Sequence, residues 1–388
     1  MTADPIPLSA PDIGDAEIEA VVAVLRTSRL SLGPQMEAFE HAMAAYIGVP
    51  HAIAVSSGTA GLHLALLAHN IGPGDEVIVP SFTFIAVANA VRYTGAHPVF
   101  ADIDAGSLNL SPAAVEAAIT PRTRALIAAH TFGRPADMPA LLDIARRHNL
   151  ILIEDACEAI GAELADSLAD PPDARRAGSF GHAAVFAFYP NKQITTGEGG
   201  MVVTSDADIA RRIRALRNHG RYELNSRPEP SWLDHAELGF NYRLSEMQCA
   251  LGLAQLQRLD AILARRAAIA RRYCQILSID PRLRLPTLEI PGQRLSWFVF
   301  VVRLADAFTQ ADRDRITRAL AEQGIATGRY FAPIHLQPAY ADRRRAMPLP
   351  VTEFAAARTL ALPFFNRLRD DQIARVAAAL QAALDARP

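Results

Sequence analysis

Short apolar and β-branched runs alternate with segments of helical periodicity through the first two-thirds of the chain. Each run ends in small or polar residues, as strands that lead into turns usually do. The pattern predicts seven strands, at residues 52–56, 76–80, 97–102, 125–130, 150–155, 183–188 and 200–204. The intervening segments are long enough for the crossovers that parallel strands require, so we expect a mostly parallel sheet with helices on both faces.

The last third of the chain has a different pattern. Residues 245–277 are rich in helix formers and space their apolar residues as one long helix, which we expect to connect two domains. Beyond it, the pattern predicts a strand at 297–302, a helix at 309–323 and an amphipathic helix at 371–386. The expected division is a large domain at 1–245, a connecting helix at 246–277 and a smaller α/β domain at 278–388. Polar, Pro-containing stretches at 165–176 and 223–230 are expected to be surface loops.

Composition and charge narrow the class of protein. The 388 residues carry a formal net charge of −2 and show no basic stripe that would indicate nucleic-acid binding. Cys157, Cys249 and Cys274 are widely spaced without a CxxC pair, so we expect neither a disulfide framework nor a zinc site. No apolar stretch has membrane-spanning length, and the first residues lack the features of a signal peptide. We therefore expect a cytoplasmic protein that acts on small molecules, without a metal or a membrane.

The sequence Ser56-Ser57-Gly58-Thr59 joins a predicted strand to a predicted helix. The N–H groups at the start of a helix point outward with a partial positive charge, so Gly58 and Thr59 can hold a phosphate without a basic side chain. The alternative is an ordinary helix cap, which Ser and Thr supply in many proteins.

The predicted strand at 150–155 ends in two carboxylates, Glu154 and Asp155. A carboxylate at that end of a strand can pair with a protonated pyridine nitrogen and keep a cofactor ring electron-poor. Asp155 is the candidate for this role. Acids also form turns and caps at strand ends, and that alternative stays open at this point.

Lys192 follows the predicted strand at 183–188 and precedes the glycine-rich sequence TTGEGG. In such a weakly charged neighbourhood, desolvation favours the neutral amine that attacks a carbonyl group. Taken alone, a lysine is more often a solvated surface residue. The order of a phosphate-binding turn, an acid and then a lysine, all at strand ends, favours one site at a single edge of the sheet.

These motifs stand in longer stretches that resemble the DegT/DnrJ/StrS family of sugar aminotransferases: SSGTAGLHLAL, GDEVIVPSFTFIAVANAV, PVFADID, IEDACEAIGA, FAFYPNKQITTGEGGMVV, GFNYRLSEMQCALGLAQL and YFAPIHLQPAY. The resemblance runs nearly from end to end. It implies the aspartate-aminotransferase type of α/β fold (PLP fold type I), with pyridoxal 5′-phosphate as cofactor. It also implies a homodimer with shared active sites, glutamate as the amino donor and a nucleotide-linked keto-sugar as the acceptor.

The resemblance further implies roles for individual residues. In the family, the residue at the position of Lys192 attaches covalently to the cofactor, and the residue at Asp155 meets the pyridine nitrogen. Phe84 corresponds to an aromatic side chain that stacks on the cofactor ring. The phosphate would be held by Gly58 and Thr59, and by Asn241 from the neighbouring subunit.

Three positions differ from what the family commonly has. Glu158 is expected near the 3-hydroxyl of the cofactor, where Gln or His is more frequent. Ala187 stands where a Ser often donates to the phosphate, so that hydrogen bond must come from elsewhere, with Asn191 as the candidate, or be absent. Val87, where Thr is frequent, is a milder change.

The resemblance also bears on the reaction. Residues 157–160 lack the Gln-Ala-His of members that aminate carbon 3, and TTGEGG resembles enzymes that aminate carbon 4, such as perosamine synthases. We therefore expect a 4-keto-6-deoxyhexose, with a 3-keto-sugar as the alternative. Glu158, Thr195 and Thr196 either orient the sugar, or only tune the 3-hydroxyl and form a turn. Dehydratase relatives carry His in place of the lysine, so Lys192 argues against that activity. A non-catalytic regulatory role disagrees with the retention of Lys192, Asp155 and Phe84 together.

Overall fold

The computed structural model describes residues 4–166, 173–222, 234–343 and 348–386. Its strands, in chain order, are β1 His51–Val55, β2 Glu76–Pro80, β3 His97–Ala101, β4 Thr123–Ala129, β5 Ile151–Asp155, β6 Glu163–Asp166, β7 Asp173–Arg176, β8 Ala183–Ala187, β9 Gly200–Thr204, β10 Leu283–Arg284, β11 Gln293–Arg294, β12 Phe300–Leu304 and β13 Thr359–Leu362. Its helices are α1 Asp15–Leu25, α2 Pro34–Ile47, α3 Gly58–Ala68, α4 Ala86–Tyr93, α5 Pro112–Ala118, α6 Met138–Arg147, α7 Ala207–Arg217, α8 Glu246–Gln257, α9 Leu259–Leu277, α10 Gln310–Glu322, α11 Pro350–Ala356 and α12 Asp370–Asp385.

Seven strands form the central sheet, in the order β1-β9-β8-β5-β4-β2-β3. β2 pairs in parallel with β3 and β4, and β5 pairs in parallel with β4 and β8. β9 is antiparallel to both of its neighbours, β1 and β8. The seven predicted strands are thus confirmed, each within about two residues at either end. The carboxyl ends of β5 and β8 meet at one edge, where an open parallel sheet binds its ligands.

Alternating side chains of each central strand enter two different apolar layers. In β1, Ile53 and Val55 pack in the layer that includes α3 and α7, whereas Ala52 and Ala54 pack in the layer that includes α2. Both faces of the sheet are therefore covered, as the apolar runs predict. This burial holds the strand ends, and the loops that follow them, at fixed positions.

The C-terminal part of the chain has its own sheet and its own core. β10, β12 and β13 form an antiparallel sheet, and α9, α10 and α12 contribute to the same apolar cluster. Ile6 also lies in this cluster and pairs with Ile325, so the N-terminal residues pack on the C-terminal unit. The division at residues 245 and 278 remains our proposal for the domain boundaries.

The single long helix predicted at 245–277 is wrong in one respect, because the segment forms two helices. α8 ends at Gln257 and α9 begins at Leu259, with Arg258 between them at φ −110° and ψ 13°. The Arg258 side chain donates to Asp12 and lies 3.3 Å from a carboxylate oxygen of Glu17. These contacts come from residues more than two hundred positions away, so helix propensity within the segment carries no signal of the break.

The stretch 165–176, predicted as a surface loop, belongs partly to a second small sheet. β6 and β7 pair in antiparallel fashion on either side of residues 167–172, and β11 pairs with β6. The other predicted loop, 223–230, lies outside the described residues. Within the described ranges, no helix is both long enough and apolar enough to cross a membrane.

Candidate active site

Lys192 is the only lysine of the chain. The other members of its 39 Lys and Arg residues are all arginines. It lies in a turn directly after β8, where its N–H donates to the carbonyl of Tyr189. The backbone returns through Thr196, whose N–H donates to Phe188, and Phe188 in turn donates to Gly199. The loop is thereby folded back on the end of β8, and the lysine side chain enters a cavity at the carboxyl edge of the sheet.

The Lys192 ammonium has two close neighbours. Its Nζ lies 3.6 Å from Oε1 of Glu158 and 4.0 Å from the centre of the Phe298 ring. The other oxygen of Glu158 accepts a hydrogen bond of 2.9 Å from the N–H of Phe132. Burial raises the pKa of Glu158, although the nearby lysine opposes this effect. Glu158 therefore holds its position through one backbone donor and one cation in a poorly solvated site.

The two carboxylates at the end of β5 have different surroundings. Glu154 is fully buried and accepts hydrogen bonds from His130 and from the N–H groups of Phe180 and Gly181. Burial opposes its ionisation, but these hydrogen bonds keep the pKa of Glu154 low. Asp155 instead lines the same cavity as Lys192. The sequence-based choice of Asp155 over Glu154 as the carboxylate of the site agrees with this geometry.

The predicted phosphate turn forms the floor of the cavity at the start of α3. The Ser57 hydroxyl caps the helix by accepting from the N–H of Ala60, while Gly58 and Thr59 line the cavity. A Cβ at Gly58 would lie 2.8 Å from Cβ of Ala187, so only glycine fits there. A Cβ at Gly200 would likewise lie 2.8 Å from the nitrogen of Gly58. The two glycines allow the helix start, β8 and β9 to approach one another closely.

Aromatic side chains form the opposite wall of the cavity, which has a volume of about 420 Å³. Phe84 lines the cavity and is 61% exposed although it is a large apolar residue, so its ring is accessible to a ligand. Tyr330 and Phe331 come from the C-terminal unit and close the far side. Asn191 lies between Lys192 and this wall, and its Nδ2 is 3.5 Å from the Tyr330 hydroxyl.

Asn241 is the one predicted cofactor-binding residue that does not line this cavity in a single chain. It is exposed, and its backbone pairs with Asn218. The carbonyl of Tyr242, the next residue, accepts from the N–H of Ser56 and so ties this segment to the phosphate turn. A contact from Asn241 to a neighbouring subunit requires a second chain and stays a prediction.

Sequence reasoning missed several residues of the cavity wall. It also named Thr195 and Thr196 as candidates for orienting the sugar, and these two lie outside the cavity. Cys157, Phe298 and Tyr330 line the cavity. Tyr330 stands in the motif YFAPIHLQPAY, which was a usable signal, whereas Phe298 lies in an ordinary apolar run with none. Thr195 and Thr196 are buried, and their hydroxyls donate to carbonyls of their own loop, which supports the turn-forming interpretation over a sugar contact.

The described residues fit pyridoxal phosphate on grounds of their own chemistry. The N-terminus of α3 has no room for a Cβ at Gly58, so the backbone N–H groups there are open to a phosphate. A carboxylate, an amine and an open aromatic face line one cavity above it, at Asp155, Lys192 and Phe84. These are the groups that a pyridine nitrogen, an aldehyde and a flat ring require.

Comparisons with known proteins identify the family of this chain. The model of the DegT/DnrJ/EryC1/StrS aminotransferase family matches residues 11–381. GDP-perosamine synthase of Caulobacter vibrioides is 42% identical over 381 residues, covering 98% of each chain. The crystal structure of S. venezuelae DesV in complex with a ketimine intermediate has a TM-score of 0.87 at 39% identity, covering 100% of both chains. The PLP form of the putative sugar aminotransferase Spr1654 from Streptococcus pneumoniae has a TM-score of 0.90 at 25% identity, covering 98% of this chain and 99% of that one.

The chain belongs to the DegT/DnrJ/EryC1/StrS aminotransferase family. The fold and site thus define a sugar aminotransferase that depends on pyridoxal phosphate, with the fold of that enzyme class. The fold class, the cofactor and the type of reaction predicted from the sequence are confirmed.

Proposed function

We propose that this enzyme transfers the amino group of glutamate to carbon 4 of a nucleotide-linked 4-keto-6-deoxyhexose. The observation that carries the proposal is the position of Lys192, the only lysine of the chain, in a cavity it shares with Asp155 and Phe84. The identity of 42% to a GDP-perosamine synthase, over nearly the whole of both chains, favours an acceptor of this class.

Five residues of the cavity have proposed tasks in holding the cofactor. The first-turn N–H groups of Gly58 and Thr59 bind the phosphate, and Asp155 keeps a proton on the pyridine nitrogen. Phe84 packs against one face of the ring, and Glu158 lies beside its 3-hydroxyl. When bound, pyridoxal phosphate supplies an electron sink for the carbon from which a proton is removed.

Lys192 would hold the cofactor covalently through its Nζ, and it has a second task after the amino donor displaces it. Its neutral Nζ takes the proton from the α-carbon of glutamate, and it returns a proton when the sugar receives the nitrogen. Glu158 and Phe298 restrict where Nζ can lie, because they are 3.6 and 4.0 Å from it. Tyr330 and Phe331 exclude water from the far side of the cavity, which protects the reacting groups from hydrolysis.

We further propose a cytoplasmic homodimer in which Asn241 completes the phosphate site of the neighbouring subunit. The support is indirect. Asn241 is exposed and lies outside its own cavity, while the adjacent Tyr242 carbonyl binds the phosphate turn through Ser56. Closed two-fold symmetry is the commonest arrangement of soluble homo-oligomers.

The acceptor carbon is tested by incubating the enzyme with glutamate and matched 3-keto and 4-keto sugar nucleotides, then locating the new nitrogen by NMR. The keto group held within about 3–3.5 Å of the amine is the one that reacts, so each enzyme of this kind is expected to use one position. Nitrogen at carbon 4 is the expected result. Preferential amination at carbon 3 would overturn the choice of sugar while leaving the role of Lys192 intact.

A further inference from the structure

A second cavity lies beside the active site, between the central sheet and the C-terminal unit. Residues 297–301 separate the two: Phe298 lines the active site, whereas Trp297, Val299 and Val301 line the second cavity. The loops after β3 and β4 contribute the other wall, through residues 105–108 and through Thr131, Phe132 and Arg134. We call this space, of about 180 Å³, the interdomain cavity.

The charged side chains that line the interdomain cavity are all positive. Arg134, Arg284 and Arg303 line it, and the described lining residues include no acid. The guanidinium groups of Arg134 and Arg303 donate hydrogen bonds to the carbonyls of two successive residues. Arg134 donates to Gly106 at 2.9 Å, and Arg303 donates to Ala105 at 3.2 Å. Two like charges from different parts of the fold thus meet at one loop.

A nearby acid compensates only part of this charge. Asp104 interacts with Arg134, but one of its carboxylate oxygens already accepts from the N–H groups of Gly106 and Ser107. These hydrogen bonds hold the pKa of Asp104 low and fix its carboxylate in its own turn. The remaining positive charge favours an anion between the arginines.

Four buried polar atoms that belong to residues lining this cavity have no hydrogen-bond partner among the described residues. They are Nε of Arg134 and Arg303 and the hydroxyls of Thr131 and Thr359, two threonines that are 3% and 1% exposed. Thr359 stands opposite Arg303 in the β12–β13 ladder. Buried polar groups are normally paired, so a cluster of unpaired ones around a cavity indicates a missing polar partner.

We propose that the interdomain cavity binds a small oxyanion, a phosphate or carboxylate carrying at most a few carbon atoms. The volume is below the range of roughly 300–1,000 Å³ that holds drug-sized ligands, which excludes a nucleotide sugar. Guanidinium groups suit such an oxyanion because they donate two parallel hydrogen bonds. Apolar walls at Leu285 and Trp297 leave room for a short carbon chain.

Binding there would join two parts of the fold. Arg134 belongs to the central unit, whereas Arg284 and Arg303 lie on β10 and β12 of the C-terminal unit. A ligand held by both stabilises the folded chain by mass action. Phe132, which also lines the interdomain cavity, donates its N–H to Glu158 in the active site, so the two sites share one wall.

The test uses the enzyme loaded with pyridoxal phosphate, so that inorganic phosphate cannot occupy the cofactor site. Calorimetry and thermal unfolding are measured with inorganic phosphate and, separately, malonate, at an ionic strength held constant with chloride. We expect saturable binding of one or both anions, one per chain, and a rise in Tm. Binding of phosphate alone or malonate alone identifies the preferred oxyanion.

Three variants locate the binding. Arg303→Gln and Thr359→Val should each weaken it about tenfold or more, since each removes a donor. Thr359→Val replaces a β-branched side chain by one of the same shape in a strand, so it should fold even if the arginine variant does not. Arg211→Gln, at an exposed arginine outside the cavity, should bind like the wild type. Absence of saturable binding, or equal binding by Thr359→Val and the wild type, would overturn the proposal.

Discussion

Nζ of Lys192 lies 3.6 Å from Oε1 of Glu158 at the carboxyl edge of the central sheet, and the two side chains are only 13% and 12% exposed. The lysine comes from the turn after β8, and the glutamate from the turn after β5. Parallel pairing of these adjacent strands brings the two turns together. The contact places an acid beside the amine that we propose to be both the cofactor attachment point and the proton carrier.

The first prediction concerns this amine. Because Lys192 is the only lysine, borohydride reduction of the loaded enzyme should fix the cofactor to a peptide containing residue 192. Lys192→Arg keeps the positive charge opposite Glu158 but supplies no amine that condenses with an aldehyde. We expect turnover to fall by about 10³-fold or more. Peptide mapping checks the result, and a reduced adduct that survives in Lys192→Arg would show that attachment occurs elsewhere.

The second prediction concerns the pH dependence of stability in the cofactor-free protein. Burial raises the pKa of Glu158 above its usual value of 4.5, so the folded state holds the proton more tightly than the unfolded state. The corresponding stability is fully present below pH 4.5 and is lost as the pH rises through the folded-state pKa. Glu158→Gln does not titrate and can still accept from Phe132. The stability of Glu158→Gln should therefore rise relative to that of the wild type as the pH increases.

Urea unfolding of the cofactor-free proteins between pH 4.5 and 8 measures this gain. Glu19→Gln, at an exposed position of α1, is the control and should follow the wild type at every pH. A constant difference between Glu158→Gln and the wild type across this range would contradict the assigned protonation.

The strands and the core of the site could be predicted because their signals are local. Apolar runs mark β5 and β8, and polar or glycine-rich residues mark their ends, where Asp155 and Lys192 lie. The break at Arg258 could not be predicted, since contacts with Asp12 and Glu17 produce it. Phe298 could not be predicted either, because its place beside Lys192 depends on how the C-terminal unit packs on the central sheet.

The third prediction concerns Ala187, where relatives often have Ser. Its Cβ lies beside the position a Cβ would take on Gly58, next to the proposed phosphate site. Ala187→Ser should leave the affinity for pyridoxal phosphate unchanged or tighten it by about tenfold, because a hydroxyl adds a charge-assisted hydrogen bond. Ala187→Cys is the control, with similar size and a weak donor. Equilibrium dialysis measures both, and marked weakening by Ser but not by Cys would place the phosphate elsewhere.

The last prediction tests the shared active site by complementation. We expect Asn241→Ala to lose cofactor affinity by about tenfold or more, because it removes a hydrogen bond to a charged phosphate. Lys192→Ala should be inactive. If Asn241 acts across the interface, a heterodimer of the two variants contains one site with both defects. Its other site combines an intact Lys192 with an intact Asn241 from the partner chain.

Mixing the two variants under exchange conditions, at a cofactor concentration that leaves Asn241→Ala largely empty, should therefore restore activity. An exchanged pool is expected to reach up to about a quarter of the wild-type rate, since half of the dimers are mixed and each holds one good site. Purification of the heterodimer through two different tags raises this to about half. Mixing Lys192→Ala with the unrelated variant Glu158→Gln is the control, because both residues line the cavity of one chain. Since each site takes both of these residues from one chain, each site of that mixed dimer carries one of the two changes, and exchange should leave the activity at the average of the separate variants. Mixing each variant with wild-type chains at the same ratio calibrates the yield of exchange. No recovery in the Asn241→Ala heterodimer, with exchange verified by the tags, would show that Asn241 does not complete the neighbouring site.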